Sequence, residues 1–169
     1  MLAMRDEKPE DHLAIHAVHT AAFGRPQEGD LVEALRRAEA LVISVVAVHD
    51  RHIVGHIAFS PVTVTSSTTT IEALGLGPMA VLPAYQRRGI GSQLVEAGLA
   101  ACRATPYSIV VVLGHPHYYP RFGFTTAKPH GIVWEHNAPE AAFMVQEVKE
   151  GALGQVQGVV KYRPDFEAV

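Results

Sequence analysis

Gln86-Arg87-Arg88-Gly89-Ile90-Gly91-Ser92 gathers two arginines, two glycines and a hydroxyl at one corner of the chain. An apolar, strand-like run ending Val81-Leu82-Pro83 precedes it, and Gln93 to Arg103 follows with helical periodicity. At such a strand-to-helix corner, backbone N–H groups and the positive end of a helix dipole converge on an anion, so the chemistry is phosphate binding. A P-loop places four residues between its glycines and then Lys-Ser/Thr, a pattern this corner lacks. A different phosphate-bearing ligand is expected.

The strand before the corner, Ile71–Leu82, is interrupted by Gly75, Gly77 and Pro78. Pro78 has no N–H to give to a ladder, and glycines soften a strand. A bulge there would splay the strand and leave the backbone groups of Met79, Ala80 and Val81 open to an extended ligand. A pantetheine arm suits that path, with two amides followed by a pyrophosphate. The plainer alternative is that the glycines mark only a packing bulge.

The elements that must position these residues alternate along the chain. Met1–Arg5 reads as a short strand and Pro9–Phe23 as a helix, with Pro9, Glu10 and Asp11 suited to its first turn and Gly24 to its end. Leu13, Ala17, Val18 and Ala21 make its expected apolar stripe. A Gly/Pro loop from Gly24 to Gly29 leads to a second helix near Asp30–Ala38. Leu41–Val48 is nearly all apolar and β-branched, as in a buried strand. His52–Thr65 is a long strand, Ser66–Thr70 a hairpin loop, Ile90–Ala104 the main helix and Tyr107–Leu113 another buried strand. Tyr118–Phe122 is a short helix or turn, Phe124 opens a strand pair with Ala142–Val148, and Val156–Tyr162 is a last extended piece. A mixed sheet in an α/β or α+β layer fold follows.

The 169 residues suffice for one domain with a real core. A net charge of −3 argues against a general nucleic-acid binder. Cys102 is the sole cysteine, so no internal disulfide can form and a reducing, cytoplasmic setting is expected. No apolar run approaches the ~18 residues that span a bilayer, so no membrane partner is expected.

The segment LGLGPMAVLPAYQRRGIGSQLVEAGL resembles the acyl-coenzyme A-binding motif of the GNAT N-acetyltransferase superfamily, and LGHPHYYPRFGF resembles its C-terminal Tyr-x-x-x-Gly-Phe signature. Together with GHIAFSPV, they are similar to one bacterial branch of poorly characterised members, and the similarity runs over essentially the whole chain. The resemblance implies a single domain over residues 1–169. It implies an α/β (α+β-like) fold whose mixed, mostly antiparallel central sheet is flanked by helices and splayed between its fourth and fifth strands. The implied activity is transfer of an acetyl group from acetyl-CoA to a primary amine of a small molecule or peptide by direct attack. No metal is implied, and a homodimer is compatible. A non-catalytic acyl-CoA sensor on the same fold is the alternative.

By the same resemblance, Met79, Ala80 and Val81 pair with the pantetheine amides and polarise the thioester carbonyl. Arg87, Arg88, Gly89, Ile90, Gly91 and Ser92 hold the pyrophosphate. Tyr119, four residues before Gly123, matches the tyrosine that protonates the departing thiolate. Tyr118 is its neighbouring rival, and an aromatic anchor is the plain alternative for Tyr119. Many members carry an asparagine about seven residues before this tyrosine; here Val112 stands there, which puts that pantetheine contact in doubt.

Several residues could take the amine's proton. Glu72 lies in the strand before the loop. Glu28, in the loop between the first helices, could instead bind a cationic substrate. His115 and His117 flank Tyr119 in sequence, and a solvent route with no unique base is a further option. His12, His16 and His19 share one helical face by spacing, and His52 and His56 one side of a strand. With no HExxH and no second cysteine, exposed histidines on an amphipathic helix are expected rather than metal ligands. Gly75-Leu76-Gly77-Pro78-Met79-Ala80 fits the dinucleotide pattern formally, but a strand follows it where a helix is needed. Cys102 falls on the apolar stripe of its helix, where burial keeps a thiol protonated.

Overall fold

The computed structural model describes residues 1–169. Its strands are β1 (Leu2–Asp6), β2 (Ile43–His49), β3 (His52–Thr65), β4 (Thr70–Val81), β5 (Ile109–Leu113), β6 (Thr125–Thr126), β7 (Ile132–Trp134), β8 (Phe143–Glu147) and β9 (Gly158–Lys161); its α-helices are α1 (His12–Phe23), α2 (Gln27–Arg37) and α3 (Ile90–Arg103). Two compact units form. Met1–Ser60, Gly77–Ala101 and Pro164–Val169 make the first, and Pro61–Leu76 with Cys102–Arg163 the second. Pairing is antiparallel except for β4 with β5 and β7 with β9. The fold class is the expected mixed α/β one.

In the first unit β1 pairs with β2 and β2 with β3. Register sorts the side chains between two faces, because cross-strand partners point the same way and neighbours along a strand point oppositely. Val46 and His56 are partners, as are Ala47 and Gly55. Val46 packs against Ile15 of α1 and Val32 of α2. On the other face a Cβ at Gly55 would lie 3.0 Å from Leu94 of α3, and one at Gly98 would lie 2.4 Å from the Phe59 ring. Only glycine at position 98 therefore allows α3 this close to β3.

Two expectations for α1 are corrected. Pro9–Asp11 is a 3-10 turn, and the buried stripe is Ile15, Val18 and His19, with Leu13 84% exposed. The stripe turns away from Leu13 because His19 finds a buried partner, so it packs inward despite its polarity. α2 begins at Gln27, so Glu28 lies in its first turn rather than in a loop. Gly24, at φ 70°, ends α1 as expected.

In the second unit Val62, Val64, Ala73, Ile109, Val111, Ile132, Val145 and Val160 form one apolar core. β5 pairs with β8 over five positions. The parallel β4–β5 ladder has two positions, Leu74↔Val110 and Gly75↔Val111, and ends there. The ladder thus stops short of Met79–Val81, in the region where the splay is expected. β7, which no sequence signal marked, is three residues long and pairs with β9.

Candidate functional site

In the first unit β4 ends with Met79 and Val81 half-buried and Ala80 buried. Leu82 N–H donates to Val54 C=O at 2.8 Å, tying the strand end to β3. A 3-10 turn at Pro83–Tyr85 follows, and Gln86 Nε2 donates to Val81 C=O at 3.0 Å. The loop then takes φ 64° at Arg87 and φ 79° at Gly89, on either side of Arg88. Left-handed residues in such a turn draw backbone N–H groups toward one side, a concavity that suits an anion. Arg87 adopts this conformation without being glycine, a strain that clusters at functional sites.

Ile90 opens the 14-residue α3 directly behind this concavity, with Gly91 and Ser92 in its first turn. No acidic side chain occupies that turn, so its dipole is not neutralised locally. Arg87 and Arg88 are exposed, and the Arg88 guanidinium lies 5.3 Å from the centre of the Tyr85 ring. The seven-residue corner thus gathers backbone donors, a helix N-terminus and two arginines in one place.

In the second unit Tyr119 starts a 3-10 turn, Tyr119–Phe122, closed by Gly123 at φ 98°. Its ring packs edge-on against Tyr118 at 5.1 Å and Phe124 at 5.8 Å. A Cβ at Gly114 would come within 2.4 Å of this ring. Tyr119 is 8% exposed, and burial, followed by the neighbouring Tyr118, pushes its phenol up to about 12. The phenol is therefore a neutral donor at pH 7. Tyr118 is half-buried, with the Arg121 guanidinium 4.5 Å from its ring centre. His115 and His117 are exposed, and Val112 is buried in β5 opposite Met144. Glu72 is exposed on β4, in the same unit.

Glu28, in the first unit, is 7% exposed and receives two hydrogen bonds from the Arg25 guanidinium, whose side chain is 48% exposed. Cys102 is buried, and that burial pushes its thiol up to about 12, which removes it as a nucleophile. His16, Asp30 and Glu33 bring ligand atoms within 4.8 Å of one another, though His16 Nε2 already bonds Asp30 at 2.8 Å.

The expectation of exposed histidines on the helix is overturned for His19. His19 and His56 are both fully buried and hydrogen-bonded to each other at 2.8 Å. Ser44 and Glu7 continue the same network. Sequence spacing hid it, because the two histidines stand 37 residues apart.

A family profile for the acetyltransferase (GNAT) domain matches residues 3–127. The Escherichia coli (strain K12) protein YhbS, an uncharacterised N-acetyltransferase, is 35% identical over 166 residues, covering 98% of both chains. A second E. coli protein, YjhQ, also an uncharacterised N-acetyltransferase, is 36% identical over 133 residues, 73% of this chain and 74% of its own. The crystal structure of E. coli YhbS in complex with CoA superposes with a TM-score of 0.91 over 98% of this chain and 92% of that one. A GNAT family acetyltransferase from Brucella melitensis in complex with acetyl-CoA is 36% identical, with a TM-score of 0.81 over 98% of each chain.

Proposed function

The chain belongs to the GNAT family of acetyltransferases, and from that premise we propose that it moves the acetyl group of acetyl-CoA to the primary amine of a small molecule or peptide. The observation that carries the proposal is the loop at Arg87–Gly89, with its two left-handed residues at the start of α3. Arg87, Arg88, Gly89, Ile90, Gly91 and Ser92 hold the pyrophosphate, through N–H groups and the helix dipole more than through the arginine charges. Met79, Ala80 and Val81 offer N–H groups to the pantetheine amides and to the oxygen that becomes an anion as the thioester is attacked.

Tyr119 donates a hydrogen bond and then its proton to the departing sulfur. Its phenol, at about 12, is a weaker acid than a thiol, whose ordinary value is about 8.5. The transfer is therefore uphill, and its effect on rate is correspondingly modest. Glu28 binds a cationic acceptor: Arg25 is its present partner, and an incoming ammonium offers the same charge. Glu72 is the candidate base named by position on β4. The protein has no helix long and apolar enough to cross a membrane, in keeping with an acceptor met in solution.

A non-catalytic acyl-CoA sensor is the second reading, favoured by the burial of Tyr119 and by Val112 at the asparagine position. Thiol release from acetyl-CoA across a panel of amines separates the two. Acceptor-dependent release supports the transferase, whereas tight cofactor binding with no release supports the sensor. Tyr119→Phe is expected to lower turnover roughly tenfold to a hundredfold with acetyl-CoA affinity almost unchanged. Equal turnover of the variant across a wide pH range removes Tyr119 from the mechanism.

A further inference from the structure

Four side chains of the first unit form one unbroken line of hydrogen bonds. Glu7 stands at the outer end, its carboxylate held by Arg36 Nε at 2.8 Å, by a second Arg36 nitrogen at 2.9 Å, and by His12 Nε2 at 3.1 Å. Ser44 Oγ donates to Glu7 Oε1. His56 Nε2 lies 2.7 Å from Ser44 Oγ, and His56 Nδ1 lies 2.8 Å from His19 Nε2. The inner end, His19 Nδ1, is buried and has no partner.

The carboxylate sets the direction of the whole line. Burial raises the Glu7 pKa, but hydrogen bonds from Arg36 and Ser44 outweigh it, so the group stays ionised and accepts only. Ser44 has one hydrogen and gives it to Glu7, so it must accept from His56 Nε2–H. Burial keeps His56 neutral, leaving a lone pair on its Nδ1. His19 Nε2–H must then donate to that lone pair. Burial also keeps His19 neutral, with its pKa lowered to about 4, so its Nδ1 is a bare acceptor fixed in place by three successive bonds.

A bare imidazole nitrogen in a closed interior is costly and adds nothing to packing. The Phe23 ring stacks on His19 at 6.0 Å and is itself 43% exposed, so one neighbour of the buried imidazole borders solvent. The charged and titratable groups acting on His19 are Glu28 of α2, which favours a proton, and His16 of α1, which opposes one. Arg25 pairs with that Glu28, and Arg36 acts on His56.

We propose that this line is the proton exit of the acetyl transfer, with His19 Nδ1 as the atom that takes the proton the acceptor amine loses. The proposal rests on the acetyltransferase reading above and supplies the base which that reading assigns to Glu72 by position alone. As the amine N–H bond breaks, an N–H bond forms at His19 Nδ1. His19 Nε2 passes its proton to His56 Nδ1, His56 Nε2 passes its own to Ser44 Oγ, and Ser44 passes one to Glu7 Oε1. The Glu7 side chain is 16% exposed and releases that proton to water. Each link already points in this direction, and each ring must turn over about its Cβ–Cγ bond or exchange its proton with water to restore the starting tautomer before the next turnover.

Nitrogen-15 NMR of the histidine rings in the intact protein at neutral pH gives the first test. His19 and His56 are expected to be protonated at Nε2 and bare at Nδ1, and a proton on His19 Nδ1 overturns the proposal. The second test measures thiol release with saturating acetyl-CoA and a mixture of spermidine, tyramine and a lysine-containing peptide. His19→Gln preserves a donor toward His56 but accepts no proton. It should bind acetyl-CoA as the wild type does, while kcat at pH 7 falls at least about tenfold. That deficit should shrink as rising pH deprotonates the amine in solution, a trend that a purely structural role would not produce. If His19→Gln does not fold, Ser44→Ala breaks the line with both rings kept and should show the same pH trend. Unchanged kcat across pH in these variants, beside loss in Glu72→Gln, overturns the relay alone. No acceptor-dependent release from the wild type overturns the acetyltransferase reading, and the use of the relay with it.

Discussion

The Gln86–Ser92 loop and the Glu7–Ser44–His56–His19 line lie in the same compact unit and are built in opposite ways. The loop is continuous in sequence, exposed from Gln86 to Gly89 and shaped by two left-handed residues. The line is discontinuous, runs from half-buried Glu7 just after β1 and Ser44 of β2 to buried His56 of β3 and His19 of α1, and takes its polarity from one carboxylate. A site made of backbone needs only local conformation and tolerates water. A site made of buried polar side chains needs every partner present, because each unpaired group costs about 1–3 kcal/mol.

That contrast is open to test, and acid should reveal its largest effect. His19 is held down to about 4 from an ordinary 6.5, so between those values the unfolded chain binds more protons than the folded one. Its contribution to stability is therefore complete above about pH 6.5 and lost as pH falls toward 4, roughly 3 kcal/mol in all. His56 is lowered in the same sense and adds to the slope. Urea midpoints measured across this interval should fall steeply in the wild type and less in a His19→Gln/His56→Gln double variant. Equal slopes would place the acid sensitivity elsewhere.

At the loop, Gly89→Val should weaken acetyl-CoA binding about a hundredfold, near 2.7 kcal/mol, since a β-branched residue resists φ 79° and crowds the N–H groups. Its urea midpoint should move far less than its dissociation constant in calorimetry. A loss of stability as large as the loss of affinity would show that the loop supports the fold. Arg87→Ala with Arg88→Ala should have the smallest effect, about tenfold in affinity at low salt and less at high salt, because exposed charges are screened. An affinity loss undiminished by salt would mean that these arginines hold the ligand by more than charge.

The two regions were also unequally legible. Glycine, arginine and hydroxyl spacing at 86–92 disclosed the loop because every part lies within seven residues. Tyr119 stands out by its distance from Gly123, and β3 is legible as one long strand from His52 to Thr65 although Gly55 and Pro61 interrupt its apolar run. The histidine line gave no such signal, since Glu7 and Ser44 are 37 residues apart, as are His19 and His56. Spacing put the helical histidines on an exposed face, whereas His19 lies in the buried stripe of α1. Glu28 was named for its charge, but its burial and its pairing with Arg25 depend on how α2 packs. β7 was missed because three residues carry too little periodicity to register.

The sequence by itself determined the strand-to-helix corner at 86–92, the strand before it, the Tyr119 turn and the mixed α/β class, because each follows from local dihedral preference or short-range periodicity. Only the tertiary structure decided where the β4–β5 ladder stops, how closely α3 lies on β3, and which histidines are interior. Those outcomes depend on partners far apart in the chain, and a polar side chain can be buried only where such a partner meets its hydrogen bonds.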